Sequence, residues 1–430
     1  MTENILRTTL DNGLQIMLKE IHTAPIISHW VWYRVGSRNE LTGLTGISHW
    51  AEHMQFKGTP KYPAGALDKA ISRDGGTWNA FTYIDWTAFY ATMPADKIGL
   101  PIDLEADRMH NSLYLPDEVA SERTVIISER EGSENEPLFR LEEAIREAAF
   151  ERHPYRNEII GSKADLQTMT RDDLFAHYQQ HYAPNNAVLA MAGDFEAERM
   201  LDHLKEVYKD IPARKIERHP ILPEGPITGE KRISLTGPGE TTYLNMVWRA
   251  PEGKNADVFS LAILDSILTG PSSLNMFGGG GTSNRTSRLY RALIDSQIAI
   301  AVSGDYTTTI DPYLYTISAI LHPEHNPEEA VQVVDAELER IRQGKISAAE
   351  LAKAVKQARA LFAYGTENIT NQAYWLGHAE MFDTYGWFEN FLPSLEKVTV
   401  TDVIRIAEDY LADDRRVIGV YAPQTEGSAQ

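Results

Sequence analysis

A weak internal duplication is the feature that most constrains the fold of this chain of 430 residues. An apolar, strand-like run over residues 26–35 precedes a helical pattern over 46–56. The same order recurs with a run over 243–248 and a helical pattern over 258–268. A repeat of about 220 residues is far longer than a solenoid unit, so it indicates a duplicated domain. A chain of this length is also expected to form more than one domain, because single hydrophobic cores stop growing beyond about 250–300 residues.

The two halves also end alike, with a polar turn and a short strand over 182–191 and again over 410–421. Between the halves lies a polar stretch with repeated prolines and little periodicity, which is typical of a linker. We therefore predict an N-terminal domain at residues 1–211, a linker at 212–231 and a homologous C-terminal domain at 232–430.

Strand patterns alternate with longer helical patterns within each half, and long antiparallel hairpin signals are few. Helices are predicted near residues 66–72, 116–129 and 171–182. This alternation predicts an α+β chain, with two homologous α/β-sandwich domains in tandem.

Composition excludes several classes of function. The formal net charge of −20 disfavours nucleic acid as a partner, and the absence of cysteine excludes disulfides, thiolate metal sites and cysteine nucleophiles. No apolar run reaches about 18 residues, so no membrane-spanning helix is expected. The N-terminus lacks the features of a signal peptide, although a signal that had been removed would leave the same picture.

The strongest chemical signal is the run His49-Trp50-Ala51-Glu52-His53. Residues four apart lie on one face of a helix, so both imidazoles can reach the same ion. The order H-x-x-E-H is that of the inverzincins, in which the glutamate is a base and not a ligand. We therefore predict zinc ligands at His49 and His53 and a general base at Glu52.

A zinc peptidase site needs a third protein ligand and keeps one position for water. Glu122 and Glu129 are seven residues apart and hence share a face of one helix. Spacing alone leaves a solvated acidic helix as an alternative.

The motifs together resemble those of the pitrilysin, insulinase and mitochondrial processing peptidase family. Residues 46–59 resemble the family's metal signature, and residues 75–82 resemble its second block. That block is an edge strand to which a substrate adds as a further β-strand. The resemblance implies one Zn²⁺ per chain, held by His49, His53 and Glu129, with Glu122 supporting the site from outside the ligand set.

The resemblance also implies peptide contacts at Asn79 and Ala80, and Asn79 is predicted to hydrogen-bond the substrate near the scissile bond. Family members enclose peptides between two bowls, like a clamshell, and this chain has the length of one bowl.

Members with a complete site carry an Arg and a Tyr in the second bowl, which stabilise the oxyanion. The corresponding positions here are Ile294 and Ala301, which have no side-chain donor. The resemblance therefore implies a heterodimer whose homologous partner supplies the Arg/Tyr pair. In a different alignment register, Arg288, Tyr290 or Tyr306 would do this work.

These observations predict a zinc endopeptidase subunit. A non-catalytic structural subunit and a precursor-processing peptidase remain the alternatives. Paired short members of the family suggest the periplasm, with the cytoplasm as the alternative. The run Gly278–Gly281 is predicted to form a surface loop.

Overall fold

The structure is a computed structural model that describes residues 5–271 and 284–424, apart from the side chains of residues 66 and 67. The predicted loop at Gly278–Gly281 lies outside the described residues.

The described strands and helices alternate along the chain in the predicted manner. The strands are β1 Ile5–Thr9, β2 Gln15–Glu20, β3 Ile26–Tyr33, β4 Thr77–Thr82, β5 Thr87–Pro94, β6 Ala187–Gly193, β7 Lys231–Gly237, β8 Tyr243–Arg249, β9 Ala299–Tyr306, β10 Leu314–Leu321 and β11 Arg416–Pro423. The helices are α1 Ile47–Met54, α2 Ala66–Arg73, α3 Gly99–Asn111, α4 Pro116–Ser133, α5 Pro137–Ala149, α6 Lys163–Thr168, α7 Arg171–His181, α8 Ala197–Tyr208, α9 Asp257–Leu268, α10 Pro327–Arg342, α11 Ala348–Tyr364, α12 Ile369–Phe382, α13 Tyr385–Leu395 and α14 Val400–Asp409.

The strands form two sheets with the same topology. The first has the order β1-β2-β6-β3-β5-β4 and the second the order β7-β11-β8-β10-β9. In each, one parallel pair, β2/β6 or β7/β11, is followed by antiparallel pairs only. Without β1 the two orders correspond strand for strand, so the predicted duplication and the α+β class are confirmed.

The central strands of the first sheet, β3 and β6, have the apolar composition of strands that are packed on both faces. In β3, seven of the eight residues are buried, and β6 is buried throughout. Such near-continuous apolar runs are expected where both faces of a sheet are packed. The hairpins β4–β5 and β9–β10, by contrast, were not predicted from the sequence. Their strands contain polar as well as apolar residues, so their ends are hard to distinguish from the turns that join them.

The chain divides into two compact units that do not follow the predicted domain boundaries. One comprises the chain up to Glu131, Asn157–Ile221 and Thr366–Tyr385, and the other comprises Gly132–Arg156, Leu222–Gly365 and the chain from Gly386 onward. Residues 212–230 contain no helix or strand, as expected of a linker. The units nevertheless do not divide at that linker alone, because each half of the sequence contributes one helix to the other unit. Helix α5 from the first half belongs to the second unit, and helix α12 from the second half belongs to the first unit.

Small residues allow these two helices to lie close against the sheets that they cover. Helix α5 packs against β11, where a Cβ added at Gly419 would collide with Ile145. Helix α12 packs against β3, where a Cβ at Gly377 would collide with the Trp32 ring. Sequence periodicity shows which face of a helix is apolar but not which sheet that face covers.

None of the helices in the described part of the chain is both long enough and apolar enough to cross a membrane.

Candidate metal centre

Helix α1, which carries the His49–His53 motif, begins at a sharply defined point. Gly46 has φ +89°, and a Cβ there would collide with the carbonyl oxygen of Ile160, so only glycine fits. The buried carboxylate of Glu40 accepts hydrogen bonds from the N–H groups of Gly46 (2.8 Å) and Ser48 (2.9 Å). Glu40 therefore satisfies two of the N–H groups that a helix leaves free at its start.

Burial raises the pKa of the Glu40 carboxyl to about 8, against the opposing effect of these N–H donors. Glu40 lies outside the H-x-x-E-H motif, so motif analysis did not identify it.

The three side chains predicted as ligands come together. The Nε2 atoms of His49 and His53 lie 3.2 Å apart, and Glu129 Oε2 lies 3.8 Å from His53 Nε2. All three ligand atoms lie within 4.8 Å of one another. Two nitrogens bound to one tetrahedral zinc at 2.0–2.1 Å would be about 3.3–3.4 Å apart. Two imidazoles and a carboxylate at this spacing thus fit zinc.

The electrostatics of the two histidines differ. Burial, together with the neighbouring His53, lowers the pKa of His49 to about 3, so His49 is a neutral imidazole with a free lone pair. Burial alone would lower the pKa of His53 as well. The hydrogen bond with Glu122 and the charges of Glu129 and Glu52 outweigh that effect and raise it.

Glu122 contacts the Nδ1 side of the His53 ring, whereas the other two predicted ligands, His49 and Glu129, lie near its Nε2 atom. Its Oε1 is 2.8 Å from His53 Nδ1, and its other oxygen forms an ion pair with Lys57. Burial would raise the pKa of Glu122, but the hydrogen bonds with His53 and Lys57 lower it, so the carboxylate is ionised. An ionised carboxylate at Nδ1 fixes the ring orientation and leaves Nε2 free to bind metal.

Replacing Glu122 with glutamine is expected to weaken zinc binding by about 10–100-fold, the usual effect of losing such a supporting carboxylate. The amide keeps the shape but loses the charge that balances His53 and Lys57. Competition with a chromophoric chelator would measure the change. Glu198→Gln, on the exposed face of α8, is the control and should bind zinc normally. Equal affinity in the two variants would contradict the supporting role.

Glu52 is close to the ligands but is held by a different group. It is 8% exposed, and its Oε2 accepts a hydrogen bond of 2.8 Å from Thr82 Oγ1 at the end of β4. Burial raises the pKa of Glu52, while Thr82, His53 and Arg108 act in the opposite direction. The sequence motifs included Thr82 but gave no reason to pair it with Glu52, because the contact depends on how β4 packs beside α1.

Asn79 and Ala80 lie on β4, which is the edge strand of its sheet. The Asn79 side chain is exposed, and its Oδ1 accepts a hydrogen bond of 2.9 Å from the N–H of Ala80. Ala80 itself is buried. The two residues thus occupy the predicted edge, and the predicted contact with a peptide stays a prediction.

The described residues of the second unit provide no comparable cluster. Helix α9, the counterpart of α1, is lined by buried apolar residues, and among the described residues the His49, His53 and Glu129 group is the one candidate metal cluster. Ile294 ends a π-helical turn, and Ala301 is exposed on β9.

The residues named for a different register have structural partners of their own. Arg288 pairs with Glu350, and Tyr306 donates a hydrogen bond to the carbonyl oxygen of Pro251. Tyr290 begins the π-helical turn, and its role stays untested.

Comparisons with known proteins identify the family of this chain. Residues 15–163 match the family model described as insulinase (peptidase family M16), and residues 168–358 match the model described as the peptidase M16 inactive domain. An uncharacterized zinc protease of Mycobacterium tuberculosis is 28% identical over 412 residues, which cover 94% of this chain and 90% of that protein.

Solved structures are similar over nearly the whole chain. The crystal structure of a protease from Helicobacter pylori has a TM-score of 0.91 at 25% identity, and the match covers 98% of this chain and 100% of that one. The first half of the periplasmic protease PqqL from Escherichia coli has a TM-score of 0.78 at 18% identity, with 97% and 92% covered. The latter likeness concerns the fold alone. Both the motifs and the fold thus lead to one conclusion: the chain belongs to the insulinase family of peptidases, peptidase family M16.

Proposed function

We propose that this chain is the zinc-binding subunit of an endopeptidase. One observation carries the proposal: His49, His53 and Glu129 converge on a point suited to zinc, and Glu52 lies buried beside them without belonging to the ligand set. The family assignment supports it, since relatives such as the Mycobacterium tuberculosis protein are named zinc proteases.

The residues divide the chemistry between them. His49, His53 and Glu129 would hold the ion, which when bound would polarise the peptide carbonyl and lower the pKa of water. Glu52 accepts the proton of the attacking water and passes it to the leaving amine. Its raised pKa suits both steps, because a base that later acts as an acid works best near the operating pH. Thr82 holds the carboxylate in position through its hydrogen bond.

The substrate would bind as an additional strand along β4. Main-chain hydrogen bonds at an open sheet edge give affinity with little dependence on sequence. The Oδ1 atom of Asn79 accepts a hydrogen bond from the N–H of Ala80. We expect the carboxamide to move to the substrate backbone on binding, so that Ala80 also contacts the peptide.

A homologous partner would complete the site. Ile294 and Ala301 have no side-chain donor, and Arg288 and Tyr306 are engaged within their own unit. The matched model of the inactive domain covers all of these positions. Because the fold corresponds to one half of PqqL, a second half carrying an Arg/Tyr pair is the expected complement. A periplasmic location remains a prediction.

The deciding experiment compares hydrolysis of quenched fluorescent peptides by the purified, zinc-loaded chain alone and together with a co-expressed homologue that has the Arg/Tyr pair. Each missing oxyanion donor typically costs about 10²–10³ in rate, so the isolated chain should be nearly inert and the pair active. Robust hydrolysis by the chain alone, abolished by Glu52→Gln, would contradict the need for a partner.

Two other functions are separable by measurement. A structural subunit of a larger complex should retain no tightly bound zinc, whereas a peptidase subunit should retain one ion per chain. A precursor-processing peptidase would share the chemistry but trim targeting sequences from specific precursors, each at one defined site. Mass spectrometry of the cleavage products distinguishes it from a peptidase of broad specificity.

A further inference from the structure

Helix α7 carries a second pair of histidines with the same sequence spacing as the first. His177 and His181 are four residues apart, as are His49 and His53. The ring centroids of His177 and His181 are 4.6 Å apart, against 4.5 Å for His49 and His53. The proposed catalytic chemistry makes no use of this second pair.

The surroundings of His177 and His181 indicate a ligand site. His177 and His181 line an open cavity of about 180 Å³, although they are only 9% and 8% exposed. His177 Nε2 and His181 Nδ1 are buried and find no hydrogen-bond partner in the part of the chain that the structure describes. Buried polar atoms in proteins usually have a hydrogen-bond partner, so two such nitrogens on residues that line one cavity are available to a ligand.

The charge of the cavity selects the kind of ligand. Burial lowers the pKa of both histidines, so each ring is neutral and offers a lone pair. Glu40, Asp173 and His219 also line the cavity. The carboxyl group of Glu40, with its pKa of about 8, is neutral at pH 7, whereas Asp173 lies one turn before His177 on the same face of α7. Neutral imidazoles beside the carboxyl group of Asp173 disfavour an anion, and imidazole nitrogen suits divalent zinc, nickel, copper and cobalt.

We propose that His177 and His181 bind a divalent transition-metal ion at an accessory site, separate from the one formed by His49, His53 and Glu129. Asp173 or water completes the coordination. His219 and Asp173 line the same cavity, but among the described residues the one group of three His, Asp or Glu ligand atoms that lie within 4.8 Å of one another is that of His49, His53 and Glu129. The accessory site therefore binds more weakly and fills second.

The test uses the full-length chain with His49→Ala and His53→Ala, which removes the first site. Titration with Co²⁺, followed by calorimetry and visible absorption, should reveal one saturable equivalent. Adding His177→Ala or His181→Ala should abolish that equivalent. His203→Ala, an exposed histidine on α8, is the matched control and should leave it unchanged. Peptide hydrolysis plays no part in this test, so its result is independent of the proposed function.

Absence of Co²⁺ binding in the double variant, or binding that survives both His177→Ala and His181→Ala, would overturn the proposal. If circular dichroism shows that either added substitution unfolds the chain, crystals of the double variant soaked in Co²⁺ decide instead. An anomalous peak between His177 and His181 supports the site, and its absence there rejects it.

Discussion

Replacement of Glu52 with glutamine is expected to lower kcat by about 10²–10⁴-fold, the usual contribution of a general base, while zinc stays bound. The amide keeps the size of the side chain and still accepts a hydrogen bond from Thr82, so the fold should not change. It has no basic oxygen for the proton of the attacking water. Turnover of a quenched fluorescent peptide by the active assembly, together with the zinc content of the variant, measures both parts of the prediction.

Two further measurements sharpen this prediction. Glu198→Gln, which makes the same chemical change on an exposed face, should retain full turnover. Loss of zinc from the Glu52 variant would mean that Glu52 helps to hold the ion, and unchanged kcat would mean that another group is the base.

Replacement of His53 with alanine is expected to remove tightly bound zinc and reduce hydrolysis to background. His53 is the residue that joins the site, since its Nε2 lies 3.2 Å from His49 Nε2 and its Nδ1 lies 2.8 Å from Glu122. Its loss removes one ligand and leaves the carboxylate of Glu122 with Lys57 as its remaining partner. Metal analysis after dialysis against a weak chelator is the direct readout.

Thermal unfolding gives a second readout that does not depend on activity. An ion that binds only the folded state stabilises it by about 4 kcal/mol at a thousandfold excess over Kd. Zinc should therefore raise the Tm of the unsubstituted chain and of His110→Ala, an exposed control on α3, and should raise that of His53→Ala clearly less at the same concentration. An equal rise in all three proteins would rule out His53 as a ligand.

Much of the candidate site was predictable because the relevant geometry is local. A separation of four residues places His49 and His53 on one face of any helix, and three residues place Glu52 near that face. The third ligand was harder, since spacing alone did not separate Glu122 from Glu129. In the structure the two carboxylates lie on opposite sides of the His53 ring, one at Nδ1 and the other near Nε2. The family resemblance implied that division, and helix geometry by itself did not.

By itself, the sequence determined the α+β class, the duplication, the helix that carries His49 and His53, and the family. Each of these depends on residue spacing along one element or on motifs read in chain order. Only the tertiary structure decided that Thr82 donates a hydrogen bond to Glu52 and that Glu40 accepts hydrogen bonds at the start of α1. It also decided that α5 and α12 each belong to the unit formed mainly by the other half of the chain, and that His177 and His181 line a cavity. The physical reason is that these features depend on packing between segments far apart in the chain, which local spacing does not specify.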